Sequence, residues 1–427
     1  MESNCPKLLI VANQCLSKQT SNGRTLRNFL TCWPKESLAQ FCTQLEKPDY
    51  DVCNNYYCIT DVDALNAFIG KKKSCTSSST QVKKVSLPQP AAKKNKRNAL
   101  TMMIRDIVWN SNRWKSIQFD NWVSDFNPQV VLLQAGDSRF MLRIARKLAN
   151  KYRAPLVIYN SEGYYFKNFD YFRSKGLSHY LYPLFHILFR REFTKTIRYA
   201  KNSIYICDAL KDDYDAEFHL HSKSIYTATE VQNRDHSSTS ESFVVSYLGN
   251  LGVGRHKVLI DIADALQKIS SSLFLDVYGK IPNDDVKKAF DNTPGIHYKG
   301  FVSYSDVVDV MHKSDLLVHC ESFDEFYRKD SKYAFSTKIA DSLACGTPFL
   351  LYAPKEFAIS KYLNENKAAF VVSEKAELIS FLNQIKNDFS FRTQYINSAI
   401  SLVKKNHDHN QNTLEFQKTI LESIEAL

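Results

Sequence analysis

The stretch YLGNLGVGRHKVLI, residues 247–260, has the pattern of a strand, a glycine-rich turn and a helix. Its glycines would let the backbone approach a ligand closely, and Arg255 and Lys257 bring positive charge to the start of the predicted helix. The spacing G-x-x-G-x-G is not the dinucleotide-binding G-x-G-x-x-G, and it lacks the Gly-Lys-Ser/Thr ending of a P-loop. Taken alone, the stretch predicts a phosphate-binding turn or an ordinary tight turn with equal weight.

Short apolar runs and helical patterns alternate along the rest of the chain as well, which is typical of parallel sheets with crossover helices. In the first half, strands are predicted at residues 7–13, 129–134, 155–160, 203–207 and 224–229. In the second half, strands are predicted at residues 243–249, 273–279, 296–301, 315–320, 348–353 and 368–372. The polar, aperiodic stretch 230–242 is typical of a linker. The sequence therefore predicts an α/β protein with two doubly wound domains.

The net charge of +11 is unevenly distributed. Residues 1–240 carry 35 Lys and Arg against 21 Asp and Glu, which gives +14. Residues 241–427 carry 21 against 24, which gives −3. A basic front half suits an anionic membrane surface, a nucleic acid or a phosphorylated acceptor. Nucleic acid is disfavoured, because the basic segments lack interleaved aromatic residues and any nucleic-acid-binding motif.

Two segments of the front half are candidates for membrane contact. Residues 70–98 are polar, basic and rich in serine and proline, which predicts a mobile loop within the first domain. A solvated insertion is favoured there over a membrane-contacting loop. Residues 179–201 combine aromatic and aliphatic side chains with five Lys and Arg. This pattern fits a core helix with a solvated basic side better than a helix on a membrane surface.

The chain is predicted to be soluble or peripheral, and cytoplasmic. The first residues, MESNCPKLLIVANQ, lack the basic and apolar regions of a signal peptide, and no run of about 18 apolar residues occurs. The ten cysteines include no C-x-x-C pair, so neither a disulfide scaffold nor a zinc site is indicated. The thiols are therefore predicted to be reduced.

A second stretch, FSTKIADSLACGTP at residues 335–348, predicts a helix with polar residues crowded at its start. Ser336 can cap the helix, while Thr337 and Lys338 can bind phosphate together with the unpaired N–H groups of the first turn. Asp341 lies one turn further on the same face, where a carboxylate could accept the hydroxyls of a ribose. The alternative, weighed evenly, is a capped helix with a surface ion pair.

Both stretches begin at strand-to-helix turns of the same domain, and they should lie at the same edge of its sheet. Open α/β folds bind their ligands at that edge. Together the stretches predict a diphosphate held from two sides, by Arg255 and by the helix that starts at Thr337.

The order of these elements resembles a known family. The glycine-rich loop, then IHYKGFVSYSDVVDVMHKSDLLVHCES (296–322), then FSTKIADSLACGTPFLLY (335–352), is similar to the C-terminal domain of retaining family 4 glycosyltransferases of the GT-B fold. The similarity is greatest to bacterial capsular and exopolysaccharide enzymes with a Ser-Thr-Lys variant of the motif. It covers residues 243 to about 385, and extends more loosely to residues 7–26 and 154–169.

The resemblance implies a GT-B fold, in which two Rossmann-like domains face a central cleft. Residues 1–235 would bind the acceptor, and residues 243–390 would bind the nucleotide-sugar. The C-terminal helices of residues 391–427 would pack back toward the first domain.

The resemblance also implies roles for individual residues of the donor site. Arg255, with Lys257 as the alternative, and Lys338 would neutralise the donor diphosphate, and Arg255 and Lys338 would be catalytic. Asp341 would bind the ribose, and the loop at 301–302 would contact the nucleobase. The predicted donor-binding residues are Gly23, Gly249, Asn250, Lys257, Phe301, Val302, Ser336, Thr337 and Asp341.

The sequence departs from the family pattern at the first glutamate of an E-x7-E motif, where Tyr333 stands. Glu321 or Glu325 could replace that glutamate from a longer preceding loop. In the first domain, Gly23 in the first β–α loop would approach the donor, and Glu162 would be a catalytic substitute for a histidine that many members carry in the cleft. A plain loop glycine and an exposed loop acid are equally good interpretations of these two residues.

These features predict an enzyme that transfers a sugar, with retention, from a nucleotide-diphosphate donor, with UDP as the expected nucleotide. The acceptor would be a glycan or a lipid-linked glycan of cell-surface polysaccharide synthesis, at the inner face of the cell membrane. The resemblance implies neither a metal nor another cofactor, because fixed positive groups stabilise the leaving diphosphate. Two alternatives are a nucleotide-sugar epimerase of similar fold, and a non-catalytic nucleotide-sugar-binding partner of another transferase.

Overall fold

The computed structural model describes residues 5–18, 21–44, 48–71, 97–234 and 243–425. The chain forms two compact units, Met1–Ile225 with Asn410–Leu427, and Tyr226–His409. Most of the predicted loop at 70–98, and part of the predicted linker at 230–242, lie outside the described residues.

The first unit is built on a parallel sheet of seven described strands. The strands are, in chain order, β1 (Leu8–Val11), β2 (Leu38–Cys42), β3 (Asn55–Cys58), β4 (Val130–Ala135), β5 (Leu156–Asn160), β6 (Asn202–Tyr205) and β7 (Lys223–Ser224). Their order across the sheet is β3-β2-β1-β4-β5-β6-β7. Every residue of β1, β4 and β5 is buried, because a parallel sheet is covered on both faces and its strands are therefore apolar throughout.

The second unit contains a parallel sheet of six described strands. The strands are β8 (Val245–Leu248), β9 (Leu275–Tyr278), β10 (Ile296–Gly300), β11 (Leu316–Cys320), β12 (Phe349–Tyr352) and β13 (Phe370–Val372). Their order is β10-β9-β8-β11-β12-β13. Tyr247 of β8 pairs in register with Val277 of β9 on one side and with Val318 of β11 on the other. This register brings the carboxyl ends of the three strands to one edge of the sheet.

Helices connect the strands of both sheets. In the first unit they are α1 (Ser21–Phe29), α2 (Asp61–Phe68), α3 (Ala99–Asn110), α4 (Ile117–Phe126), α5 (Arg139–Tyr152), α6 (Leu177–Tyr199) and α7 (Asp208–Phe218). In the second unit they are α8 (Arg255–Ile269), α9 (Asp284–Asp291), α10 (Tyr304–Lys313), α11 (Glu325–Asp330), α12 (Thr337–Ala344), α13 (Ala358–Glu365), α14 (Leu378–Asn387) and α15 (Phe389–Leu402).

The last helix, α16 (His409–Glu425), returns the chain to the first unit. The ring of Phe416 stacks on Phe29 with centroids 5.2 Å apart, and Lys223 Nζ lies 2.7 Å from the Glu415 carboxylate. The chain passes between the two units at residues 225–226 and 409–410. The functional domain boundaries expected at residues 235, 243 and 391 stay predictions.

The predicted fold class is confirmed: the chain is α/β, with two parallel doubly wound sheets. Two strands were not predicted, β2 (LAQFC) and β3 (NYYC), because each is short and interrupted by polar residues. The predicted strand at 224–229 is largely wrong, since only residues 223–224 form β7.

Candidate functional site

The strand order of the second sheet marks a place for a ligand. Strands β8 and β11 are neighbours, and the chain leaves them in opposite directions, toward β9 and β10 from β8 and toward β12 and β13 from β11. Loops that diverge in this way leave a crevice at the carboxyl ends of the strands, where open α/β folds bind ligands. The glycine-rich turn follows β8 at this edge.

The shape of the glycine-rich turn is fixed by its own residues. Gly254 has a φ of +77°, and a Cβ added there would lie 2.5 Å from Ser322 Oγ, so a larger residue would both strain the backbone and clash. The side-chain oxygen of Asn250 accepts a hydrogen bond from the N–H of Gly252 at 2.9 Å. The Asn250 carbonyl accepts another from the hydroxyl of Tyr247 at 2.8 Å. The turn is therefore held in one conformation beside the crevice.

A cavity of about 260 Å³ opens at this edge of the second sheet. It lies between the ends of β8, β9 and β10 and the first residues of α10 and α12. Its lining residues are Leu248, Gly249, Asn250, Tyr278, Gly279, Lys280, Phe301, Val302, Val307 and Lys338. The structure thus brings five predicted donor-site residues together, namely Gly249, Asn250, Phe301, Val302 and Lys338.

The cavity has an apolar side and a cationic side. The Phe301 side chain is 78% exposed, which is unusual for an aromatic residue and leaves its ring accessible at the cavity. Val302 and Val307 continue this apolar side. Lys280 and Lys338 supply two cations. Sequence reasoning missed Lys280, although its position directly after the predicted strand 273–279 was a signal for the ligand-binding edge.

Helix α12 begins as the sequence predicts. Ser336 is the N-cap, and its hydroxyl accepts a hydrogen bond from the N–H of Lys338 at 3.4 Å. The buried side of the helix includes Ile339 and Leu343, while the Lys338 side chain lines the cavity. An anion in the cavity would therefore meet Lys338 beside the positive end of the helix dipole.

Arg255, the first residue of α8, forms a buried ion pair with Glu321, which follows β11. Arg255 Nη2 lies 2.6 Å from Glu321 Oε1, and Nε lies 3.1 Å from Oε2 and from the carbonyl oxygen of Cys320. Burial alone would lower the pKa of Arg255, but the Glu321 carboxylate outweighs it and raises that pKa. The guanidinium is therefore charged, and its charge is matched by Glu321.

His319 supports the same ion pair from β11. Its Nε2 lies 3.2 Å from Glu321 Oε1. Burial lowers the pKa of His319, so the ring is neutral at physiological pH. Burial would raise the pKa of Glu321, but Arg255 and His319 hold it below its ordinary value. Glu321, which sequence reasoning considered as a replacement for the first motif glutamate, thus serves as the carboxylate partner of Arg255.

Asp341 lies on the inner side of α12. It is only 1% exposed, and it accepts a hydrogen bond from Thr229 Oγ1 at 2.7 Å. Asp341 is not among the residues that line the cavity, in contrast to Lys338 on the same helix. The structure therefore does not place Asp341 beside Lys338 at the cavity, and its role as a ribose ligand stays a prediction.

The remaining predicted residues of the second unit lie outside the cavity lining. The exposed Lys257 pairs with Asp324 at 3.1 Å, and the exposed Glu325 pairs with Lys329 at 2.7 Å. Tyr333, which stands at the expected first glutamate, is half-buried. Ser336 and Thr337 are half-buried at the start of α12.

The predicted residues of the first unit lie at the carboxyl side of its sheet. Gly23 is buried inside the first turns of α1, whereas the sequence analysis assigned it to a loop; the helix begins two residues earlier, at Ser21. Glu162 follows β5 and is half-exposed, with its carboxylate 3.8 Å from Lys167 Nζ. The roles predicted for Gly23 and Glu162 stay predictions.

Two features are absent from the described residues. The described residues contain no group of three or more His, Cys, Asp or Glu side chains arranged to hold a metal ion. Within the same ranges, no helix combines the length and the apolar character required to cross a membrane.

Residues 256–418 match the model of a family described as glycosyl transferase-like. The matched residues run from the start of α8 into α16, so they include the cavity residues of the second unit from Tyr278 onward. A comparison with curated protein sequences found no match.

Solved structures similar to this chain cover nearly its whole length. HepE from Anabaena, solved with UDP and glucose, has a TM-score of 0.62 and 13% identity over 99% of this chain and 100% of its own. Sucrose-phosphate synthase from Thermosynechococcus elongatus has a TM-score of 0.64 and 9% identity, with coverage of 99% and 100%. A glycosyltransferase from Rickettsia africae has a TM-score of 0.59 and 12% identity, with coverage of 97% and 98%. The chain therefore has the GT-B fold of glycosyltransferases, and residues 256–418 match the glycosyl transferase-like family.

Proposed function

We propose that the protein is a glycosyltransferase that uses a UDP-sugar as its donor. The observation that carries the proposal is the cavity at the carboxyl ends of β8, β9 and β10, with Lys338 at the start of α12 and Phe301 directly after β10. This cavity lies largely in the region that matches the glycosyl transferase-like family. The structure of HepE in complex with UDP adds support, since its fold covers 99% of this chain.

Lys338 is the principal cation for the donor diphosphate in this proposal. Lys338 lines the cavity and lies in the first turn of α12, at the positive end of the helix dipole. Lys280 adds a second cation at the end of β9. Fixed positive groups of this kind stabilise the charge that develops on a leaving diphosphate.

Arg255 has a different part in the proposal. Because Glu321 already binds two of its nitrogen atoms, Arg255 fixes the start of α8 against the end of β11 and so holds the glycine-rich turn in place. Phe301 and Val302 would cover the flat face of the uracil ring, as aromatic and apolar groups do for planar ligands.

Transfer would occur with retention. The bond between C1 of the donor sugar and the diphosphate oxygen breaks, and the acceptor oxygen bonds to C1 from the same face. The acceptor proton passes to an oxygen of the departing diphosphate. Glu162 in the first unit is the proposed catalytic residue on the acceptor side of the reaction. The proposed acceptor is a glycan or lipid-linked glycan of cell-surface polysaccharide, at the inner face of the membrane.

A non-catalytic nucleotide-sugar-binding protein is the second candidate. It is favoured by one observation, the absence of the first motif glutamate: Tyr333 stands at its position, and Glu321 is bound to Arg255. Such a protein would bind donor without releasing nucleoside diphosphate.

Two measurements test the proposal. A thermal-shift panel of nucleoside diphosphates and nucleotide-sugars should show a rise in melting temperature with UDP and UDP-sugars, because a ligand of the folded state stabilises it. Release of UDP from the stabilising UDP-sugar, on addition of glycan acceptors, should then separate an enzyme from a binding protein. Stabilisation by no nucleotide in the panel would contradict the donor site itself.

A further inference from the structure

Three helices of the first unit expose large apolar side chains. They are α2 with the residue that follows it, α3 and α6, and we refer to these side chains together as the apolar surface. Its members are Val62, Leu65, Ile69, Ile104, Ile107, Leu177, Tyr180, Leu184 and Ile187. Each of them is between 45% and 79% exposed. These nine are more than half of the 17 large apolar side chains exposed among the described residues, so they are not scattered at random.

The three helices lie side by side, with α3 in the middle. Met102 of α3 packs in one buried cluster with Tyr182 and Phe185 of α6. On its other side, α3 holds α2 through Asp61, whose carboxylate accepts hydrogen bonds from Arg105 Nε at 2.7 Å and from Trp109 Nε1 at 2.8 Å. The exposed side chains therefore belong to neighbouring helices of one layer.

On α6 the exposed apolar residues occupy one face. Leu177, Tyr180, Leu184 and Ile187 are spaced by three, four and three residues, which is the helical period. The sequence analysis favoured a core helix with a solvated basic side here. The structure shows both an inner aromatic side, with Phe185 buried, and an outer apolar face.

The charge around the apolar surface is positive along α3 and α6, whereas α2 carries two carboxylates, Asp61, which pairs with Arg105, and Asp63. Helix α3 has one carboxylate, Asp106, and α6 has one, Glu192, and both are buried and paired with arginines of α5. The exposed charged residues of α6 are all basic, and are Arg190, Arg191, Lys195 and Arg198. The sequence that joins α2 to α3, residues 70–98, has nine Lys and Arg and no acidic residue.

We propose that the apolar surface of α2, α3 and α6 docks the protein on an anionic lipid bilayer. The aliphatic and tyrosine side chains enter the headgroup region, while the basic residues of α6 contact lipid phosphates. A second copy of the chain is a poor occupant, because residues 1–240 carry a net +14 and two such surfaces would repel each other. The inference deepens the proposed function, and rests on it only for the statement that the acceptor is lipid-linked.

The experiment is co-sedimentation of the full chain with vesicles of phosphatidylglycerol and phosphatidylcholine, compared with vesicles of phosphatidylcholine alone. The test variant is Tyr180→Asp with Leu184→Asp. The matched control is Ile117→Asp with Leu414→Asp, which removes two other exposed apolar side chains of the same unit and adds the same charge. Both variants are followed by UDP thermal shift, which reports the donor site separately.

The wild type and the control should bind the anionic vesicles, and added salt should weaken the binding. The test variant should partition about tenfold more weakly, with an unchanged UDP shift. The proposal is overturned if wild type ignores anionic vesicles, prefers neither vesicle type, or loses binding equally in both variants. It is also overturned if the test variant instead abolishes a concentration-dependent dimer. If UDP does not raise the melting temperature of the wild type, the donor proposal is contradicted, but the vesicle measurement still tests the docking proposal.

Discussion

Arg255 and Glu321 are joined by two hydrogen-bonded contacts, of 2.6 and 3.1 Å, across the switch point of the second sheet. The Glu321 side chain is only 3% exposed, and the pair ties the first residue of α8 to the end of β11. The guanidinium that the sequence assigns to the diphosphate is thus already engaged with a carboxylate. Lys338 and Lys280 are the cations that line the neighbouring cavity.

Replacement of Glu321 by glutamine should destabilise the protein strongly. It leaves the charge of Arg255 buried without a partner, which typically costs about 3–5 kcal/mol of unfolding free energy. Chemical denaturation of Glu321→Gln measures this loss. The matched control is Glu325→Gln, since Glu325 forms an exposed pair with Lys329 and its replacement should leave the unfolding free energy nearly unchanged. Equal effects of the two variants would show that the buried pair does not hold the turn.

The pH dependence of stability should carry a contribution from His407. Burial lowers the pKa of this ring from 6.5 to about 4, and its Nδ1 lies 2.7 Å from the Thr227 carbonyl oxygen. The folded state therefore binds fewer protons than the unfolded state between these pH values. Stability should fall as the pH drops from about 6.5 to about 4, by up to about 3 kcal/mol from this residue.

The variant His407→Gln tests that contribution, because it removes the titrating ring. The loss of stability between pH 7 and pH 5 should shrink by about 2 kcal/mol relative to the wild type. His221→Gln, at an exposed position, is the control and should keep the wild-type slope. An unchanged slope in His407→Gln would mean that the buried ring does not titrate differently in the folded state.

The elements predicted from the sequence are those whose pattern is visible within a few neighbouring residues. Strands such as β4 and β11 are buried on both faces and are therefore continuous apolar runs, and the cap of α12 by Ser336 needs only neighbouring residues. The pairing of Arg255 with Glu321 has no such local signal, because the partners are 66 residues apart and three strands lie between them in the chain. Their contact follows from the adjacency of β8 and β11.

The position of Asp341 shows the same limit. The helical period places it on a face with Lys338, but it cannot show that Thr229, from the segment that precedes β8, packs against that side of α12. Helical spacing predicts which residues share a face, and tertiary contacts decide whether that face meets a cavity or a core.

Phe301→Ala should weaken binding of UDP about tenfold, because stacking of a base on an aromatic ring is worth about 1–3 kcal/mol. Binding of inorganic pyrophosphate should be unaffected, since it has no base. Isothermal titration of both ligands measures the difference. Phe389→Ala removes a similarly exposed phenyl ring of the same unit, outside the cavity, and should bind UDP normally. A loss of pyrophosphate affinity in Phe301→Ala would contradict the assignment to the base.

The ribose role of Asp341 is tested by comparing UDP with 2′-deoxy-UDP. If Asp341 binds the ribose hydroxyls, Asp341→Asn should abolish the preference for UDP, and it should also cost about 1–3 kcal/mol of stability through its buried contact with Thr229. Thr229→Val removes the same hydrogen bond and keeps the carboxylate, so it should lose stability but retain the preference. An intact preference in Asp341→Asn would restrict Asp341 to a structural role.

We propose that the cavity at the carboxyl ends of β8, β9 and β10 holds a UDP-sugar through Lys338. Titration of UDP into the wild type, Lys338→Ala and Lys268→Ala tests this proposal most directly. Lys268 serves as the control, since it is an exposed cation in the last turn of α8 and does not line the cavity. Lys338→Ala should bind UDP about tenfold or more weakly, as the loss of a charge-assisted hydrogen bond implies, while Lys268→Ala should match the wild type. Equal UDP affinity in all three proteins would contradict it.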